Sequence, residues 1–276
     1  TDENLEQLRK LDLDVVRLHL LPSDFTDSQG NLRDSVYLDV LDYLIMRCNR
    51  LGIYVYLTLI NEMGSSGHFD DSFMCSSERE KWLFDRAFVA NAERYIVAML
   101  THENRYTGVA LAQDPTVAVL EIMNEPRYPT LGDLRTNSAF QDLHTDFERW
   151  CQARKTSAFP IAYFRTYRHD VVKAFLTRMC RAVRSSGCAK PVVWNLNWAR
   201  MINGHEDVFQ AVADSPVDAV SVCCYPGQSD VRNPFWKYPA DLSGNNYLPY
   251  LRTCYADYSH LRWLLGKRFA TKAKLV

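Results

Sequence analysis

Two glutamates lie four residues apart in the segment Leu120–Arg127, whose sequence LEIMNEPR is otherwise largely apolar. Paired carboxyl groups can divide the roles of acid and base between them, so Glu121 and Glu125 are the first candidates for chemistry. A strand rises about 3.3 Å per residue, which would place Glu121 about 13 Å deeper than Glu125. Pro126 should end the strand and leave Glu125 at its rim as a candidate general acid. Glu121 is expected to form a structural ion pair, with Arg17 as the candidate partner.

Other polar residues follow apolar segments in the same way. They are His19, Asn61–Glu62, Asn124–Glu125, Asn197–Trp198 and Tyr225. Because the carboxyl ends of parallel strands meet at one edge of a sheet or one end of a barrel, we expect these residues to surround a common cleft.

A regular series of strands and helices is needed to bring these residues together. Apolar, β-branched segments alternate with segments of helical periodicity along the chain. Strands are predicted at 14–20, 53–60, 117–123, 192–197, 218–224 and 273–276, and helices at 4–11, 34–51, 77–100, 163–185, 206–213 and 246–265. Near-continuous apolar strands of this kind indicate a parallel sheet wrapped by helices, which is an α/β fold.

Two architectures fit this alternation, an open doubly wound sheet and a (β/α)8 barrel. No Gly-rich phosphate-binding loop, a common feature of open dinucleotide-binding sheets, follows any predicted strand. The polar residues at the strand ends favour the TIM barrel, because barrel enzymes build their sites at that rim. Five full strands and a shortened sixth are predicted. We therefore interpret residues 1–276 as one partial, incomplete barrel domain.

Charge and composition argue against several classes of function. The formal net charge is −1 over 276 residues, which provides no basic surface for nucleic acid, and no apolar segment is long enough to span a bilayer. The eight cysteines form no CxxC pair and no zinc-type cluster. We expect neither a metal site nor another cofactor. The sequence starts without Met or an apolar leader, and we expect it to begin inside a longer protein.

Several of these segments resemble family 5 of the glycoside hydrolases, in clan A, and its β-mannanase-like branches in particular. The segment LAQDPTVAVLEIMNEPR (Leu111–Arg127), preceded by NRYTGVA (Asn104–Ala110), is similar to the fourth-strand region of that family. DVVRLHL resembles its second strand, LGIYVYLTL its third and VDAVSVCCYP its sixth. The resemblance covers nearly the whole chain and implies a TIM barrel and glycosidase activity.

The resemblance also implies roles for individual residues. Glu125 would be the acid/base, and Asn124 would bond the 2-hydroxyl of the sugar. Arg17 would support the nucleophile and Tyr225 would hydrogen-bond it. The family uses a retaining mechanism, in which two carboxyl groups about 5 Å apart cleave the glycosidic bond through a covalent glycosyl intermediate.

The sequence departs from the family pattern at two places. Cys223 occupies the position of a histidine on the sixth strand, and a thiol cannot offer the same hydrogen bonds. The nucleophilic glutamate of the family ends the seventh strand, and only the start of such a strand precedes Val276. We therefore expect the nucleophile to lie beyond Val276 and the family's first strand to precede Thr1.

Aromatic residues in the loops after the predicted strands could stack on sugar rings. Trp198 and Trp236 are candidate platforms, with packing of the loops as the alternative. Asn197 and His19 are candidate substrate ligands, although a buried histidine of the core is an alternative for His19. Glu62 is more typical of a solvated loop carboxylate.

The sequence and the family resemblance favour a retaining β-glycoside hydrolase acting on a polysaccharide or oligosaccharide of the mannan or β-glucan class. A barrel that binds carbohydrate without cleaving it is one alternative, and a clan A glycosidase of another family, such as a β-galactosidase type, is another. The sugar, the linkage, endo or exo action and the oligomeric state stay open. Secretion or a periplasmic location is suggested by the resemblance alone.

Overall fold

The computed structural model describes residues 2–61, 71–75, 79–156, 161–197, 205–223 and 274–275. The strands are β1 (Val15–His19), β2 (Tyr54–Asn61), β3 (Val117–Asn124), β4 (Val192–Asn197), β5 (Ala219–Cys223) and β6 (Lys274–Leu275). The α-helices are α1 (Asp2–Lys10), α2 (Val36–Leu51), α3 (Arg86–Thr101), α4 (Leu131–Thr136), α5 (Gln141–Ala153), α6 (Ile161–Ser185) and α7 (Glu206–Ala213). The predicted helix 246–265 lies outside the described residues.

All six strands form one parallel sheet in which the spatial order follows the chain, β1-β2-β3-β4-β5-β6. In a doubly wound sheet the spatial order of successive strands reverses at a switch point, whereas in a barrel each strand lies beside the previous one. The observed order therefore confirms the prediction of an incomplete (β/α)8 barrel. Parallel register also brings the carboxyl ends of the strands, and the polar residues there, to the same end.

Helix α2 shows how local sequence sets the bounds of an element. Ser35 caps its start, because its hydroxyl accepts a hydrogen bond from the Leu38 amide at 3.3 Å. Gly52 ends it in the left-handed conformation, with φ of 67°, which glycine adopts without a Cβ penalty. One face of the helix, including Ile45, is buried in the main core. The helix thus packs against the core beside β2, and it confirms the helix predicted over 34–51 apart from the first two residues.

The prediction of one long helix over 77–100 is wrong at its start. Helix α3 begins at Arg86, and Arg79–Lys81 form a separate 3-10 turn. The side chain of Asp85 explains the break, because it accepts hydrogen bonds from the amides of Ala87 (2.8 Å) and Phe88 (3.1 Å). A capping residue has extended backbone, so the chain cannot be helical through this position.

The region after β3 contains two helices, α4 and α5, that were not predicted. Thr130 and Asp133 form a reciprocal capping box that starts α4. Helix α5 buries Leu143, Phe147 and Cys151 in a second apolar cluster against α6. These residues recur at the spacing of a helical face, a signal that was present in the sequence.

The two faces of the strands differ in chemistry. On β2, Val55, Leu57 and Leu59 are fully buried and belong to the main apolar core. The alternate residues Tyr56 and Thr58 point to the other side, where they meet polar groups from neighbouring strands. The barrel interior is therefore polar near its carboxyl end. Among the described helices, none combines the length and the apolar character needed to cross a membrane.

Candidate active site

Glu121 is the centre of a buried polar network inside the barrel, and its side chain is inaccessible to solvent. Its carboxylate accepts hydrogen bonds from Tyr56 Oη at 2.8 Å, Thr58 Oγ1 at 2.9 Å and Ser221 Oγ at 2.7 Å. Arg17 Nη2 donates to the same carboxylate and completes an ion pair, which confirms the predicted partner. The four donors come from β1, β2 and β5, so Glu121 ties non-adjacent strands together.

The environment of Glu121 also keeps its neighbours in one protonation state. Burial, followed by the negative charge of Glu121, raises the pKa of Tyr56 well above its ordinary range, so the phenol remains a donor at neutral pH. The guanidinium of Arg17 lies over the Tyr56 ring, 5.5 Å from its centroid. A fully bonded carboxylate at this depth is a structural residue rather than a reacting one.

Arg17 connects this deep network to the rim. Besides Glu121, Arg17 Nη2 donates to Asn124 Oδ1 at 2.9 Å, and Asn124 Nδ2 donates to Asn61 Oδ1 at 3.3 Å. Asn124 is the last residue of β3 and Asn61 the last of β2. Two of the predicted site residues, Arg17 and Asn124, are therefore in direct contact at the carboxyl end of the sheet.

Glu125 directly follows the end of β3, and its backbone leaves the strand conformation. Simple alternation along a strand would put it on the same face as Glu121, but β3 ends at Asn124 and Glu125 has a φ of +41°. This left-handed conformation is uncommon for a residue other than glycine, and it redirects the side chain. Glu125 is only 8% exposed, and its Oε1 atom has no hydrogen-bond partner among the described residues.

The segment after Glu125 is held from neighbouring elements. The Trp194 indole on β4 donates to Tyr128 Oη at 3.2 Å. Arg168 on α6, which is almost fully buried, donates to the carbonyl of Pro129 at 3.0 Å and pairs with both carboxylate oxygens of Asp207 at 2.7 Å. These bonds fix the path of the chain immediately after the candidate acid.

His19 ends β1 and retains solvent access. Partial burial of the ring and the positive charge of Arg17 lower the pKa of His19, and the charges of Glu121 and Glu125 oppose this shift. The neutral ring is therefore favoured near pH 7. Its electrostatic coupling to Glu125 is consistent with a position beside the same cleft.

The remaining predicted site residues are less completely placed. Asn197 is the last residue of β4 and is in register with Cys223 on β5, so its backbone lies at the carboxyl end of the sheet. Glu62, Trp198, Tyr225 and Trp236 lie outside the described residues, and their roles stay predictions. In the described ranges no group of three or more His, Cys, Asp or Glu side chains could hold a metal ion.

Sequence reasoning missed Asn195 and Ser221, two polar residues inside the apolar strands β4 and β5. Asn195 Oδ1 accepts a hydrogen bond from the Glu125 amide at 2.9 Å, and Asn195 Nδ2 donates to Ser221 Oγ at 2.8 Å. The available signal was a polar side chain within a strand otherwise made of core residues. Such a residue must find partners in the interior, because an unpaired buried polar group is costly.

The sequential parallel sheet defines an incomplete barrel with polar groups gathered at the carboxyl ends of its strands. No protein-family model matches the chain. The chain is 27% identical over 108 residues to mannan endo-1,4-beta-mannosidase 2 of Arabidopsis thaliana, a match covering 36% of this chain and 25% of that protein. It is 32% identical over 114 residues to mannan endo-1,4-beta-mannosidase 3 of Oryza sativa subsp. japonica, covering 36% of this chain and 23% of that protein.

Among solved structures, the glycoside hydrolase family 5 mannosidase from Rhizomucor miehei superposes with a TM-score of 0.59 at 15% identity, over 99% of this chain and 61% of that chain. This likeness confirms the incomplete barrel fold. The matches to mannan endo-1,4-beta-mannosidases confirm the resemblance to the family 5 glycoside hydrolases of clan A. The chain matches about a quarter of the length of these curated relatives.

Proposed function

We propose that the protein is a retaining β-glycoside hydrolase that acts on a polysaccharide of the mannan or β-glucan class, with Glu125 as its general acid/base. The observation that supports this most directly is the burial and hydrogen bonding of the Glu125 carboxyl group. It is a nearly buried carboxyl group at the carboxyl end of β3, with one oxygen that no described residue bonds. An acid that protonates a substrate oxygen requires an unengaged position of this kind.

In this mechanism Glu125 donates its proton to the glycosidic oxygen while a second carboxylate attacks the anomeric carbon. The bond to the leaving sugar breaks and a covalent glycosyl intermediate forms. Glu125, now ionised, takes a proton from water, and the resulting attack on the anomeric carbon releases the second carboxylate. Asn124 would bond the sugar 2-hydroxyl from its place beside Glu125, and Arg17 holds the Asn124 side chain.

The position of β6 supports a specific place for the second carboxylate. β6 is parallel to β5, with Ala219 paired to Lys274 and Val220 paired to Leu275. Continuing this register one residue at a time puts the partner of Cys223 about two residues beyond Val276. We propose that a glutamate of the full-length protein, within a few residues of that point, is the nucleophile.

The test uses the full-length protein, with mannan and with a mannoside that carries an activated aryl leaving group. Glu125→Gln should lower the rate on mannan by about 10²- to 10⁴-fold, the range for loss of a general acid. The rate of the first step on the aryl mannoside should fall less, because that leaving group needs no proton.

A matched control is Glu103→Gln, a change of the same kind at an exposed glutamate remote in sequence from the strand ends. It should leave both rates unchanged. Undiminished hydrolysis of mannan by Glu125→Gln would contradict the proposed function. Binding of mannan without any hydrolysis by the unaltered full-length protein would favour the carbohydrate-binding barrel instead.

A further inference from the structure

The backbone of Glu125 has a conformation that its own residue type disfavours. A left-handed φ is unfavourable for a residue with a Cβ atom, so surrounding contacts must impose it. The contact made by the Glu125 backbone is the hydrogen bond from its amide to Asn195 Oδ1, at 2.9 Å. Asn195 lies on the neighbouring strand, is only 1% exposed and therefore has no direct access to the cleft.

The orientation of the Asn195 amide is dictated by the residues behind it. Glu121 is a carboxylate and can only accept, so Ser221 must donate its hydroxyl hydrogen to it, at 2.7 Å. The Ser221 oxygen then accepts from Asn195 Nδ2 at 2.8 Å. This leaves Asn195 Oδ1 directed at the Glu125 amide. Each link in the chain has one possible polarity, which begins at the buried negative charge.

A second path joins the same two glutamates from the other side. Arg17 donates to Glu121 and to Asn124 Oδ1, and Asn124 is covalently linked to Glu125. Glu121 therefore anchors both the residue before the candidate acid and the amide of the acid itself. The deep glutamate acts on the rim glutamate through hydrogen bonds, although the two carboxyl groups belong to separate parts of the barrel.

We propose that Asn195 is a positioning residue for the reaction, which fixes the strained backbone of Glu125 and so aims its carboxyl group at the leaving oxygen. The inference rests on the proposed role of Glu125 as general acid. Removing the Asn195 acceptor should therefore impair proton donation by Glu125 more than it impairs substrate binding or folding.

The variant is Asn195→Leu in the full-length protein, which removes the acceptor and keeps a side chain of similar length. We expect kcat on mannan to fall about ten- to hundred-fold, as for a misplaced catalytic group, with KM little changed. The first step on an activated aryl mannoside should fall much less. A purely structural role would lower both rates together, in proportion to the folded fraction.

Asn104→Leu is the matched control. Asn104 is equally buried and its Oδ1 also accepts backbone amides, from Tyr106 (2.9 Å) and Thr107 (3.2 Å), but it lies in the loop before β3. The Asn104→Leu variant should be less stable, but the ratio of its rate on mannan to its rate on the aryl mannoside should not change. If Asn195→Leu does not fold, Asn195→Ala removes the same acceptor without added bulk and is measured in the same way.

An unchanged ratio in the folded Asn195 variant, with Glu125→Gln still impaired on mannan, would overturn this inference and leave the proposed function standing. Undiminished activity of Glu125→Gln would refute the proposed function itself. The two failures are therefore distinguishable.

Discussion

Glu121→Gln tests the role of the buried carboxylate that connects the strands. In the native protein Oε1 accepts from Arg17 and Thr58, and Oε2 accepts from Tyr56 and Ser221. Glutamine keeps one acceptor oxygen and replaces the other with an amide that only donates. Since the guanidinium of Arg17 cannot accept a hydrogen bond, the new NH2 group must face the hydroxyl groups of Tyr56 and Ser221. These two hydroxyl groups then have to turn their hydrogen atoms away from it.

The expected cost follows from this rearrangement. Breaking one partner of a buried ion pair costs about 3–5 kcal/mol, and the lower end applies because the Arg17 side chain is 32% exposed. We therefore expect a loss of about 3 kcal/mol in the free energy of unfolding. At about 2–4 °C per kcal/mol for a domain of this size class, the melting temperature should fall by roughly 6–12 °C.

Equilibrium urea unfolding followed by circular dichroism, together with a thermal melt, measures both quantities. Glu103→Gln at an exposed position is the control and should stay within about 0.5 kcal/mol of the unaltered protein. A loss below about 1 kcal/mol for Glu121→Gln would refute the reasoning, because it would show that the four hydrogen bonds do not depend on the charge of the carboxylate.

Three further predictions concern stability. Arg168→Met should cost about 3–5 kcal/mol in urea unfolding, because it leaves the buried carboxylate of its partner on α7 uncompensated, and a loss under 1 kcal/mol would contradict this. Gly30→Ala should destabilise the protein more than Gly52→Ala: both have positive φ, but only at Gly30 would a Cβ overlap the Asn91 carbonyl, and equal losses would argue against that contact. Folding lowers the pKa of His19, so the unfolded chain binds a proton more readily than the folded protein as the pH falls below about 6.5. The contribution of His19 to the free energy of unfolding is therefore complete above that pH and is lost below it. His19→Gln should reduce the loss of stability measured between pH 7.5 and pH 5.

The sequence alone predicted the six strands in their order, the incomplete barrel and the place of Glu125 directly after β3, because these depend on local apolar periodicity and on turn residues. It also predicted the pairing of Arg17 with Glu121, since a charge inside an apolar strand must find a partner. The start of α3 at Arg86 and the helix α5 were missed, although the cap at Asp85 and the helical spacing in 143–151 were both present in the sequence.

Only the tertiary structure decided how the candidate acid is held. Asn195 lies 70 residues from Glu125 in the chain, and Ser221 lies 100 residues from Glu121, so no local pattern connects them. Their contact arises from the parallel register of β3, β4 and β5, which brings polar residues of separate strands together in the barrel interior. The sequence determined which carboxyl groups are present and at what depth. The packing of β4 beside β3 determined the left-handed turn of Glu125, because the hydrogen bond to Asn195 on β4 offsets the cost of that conformation.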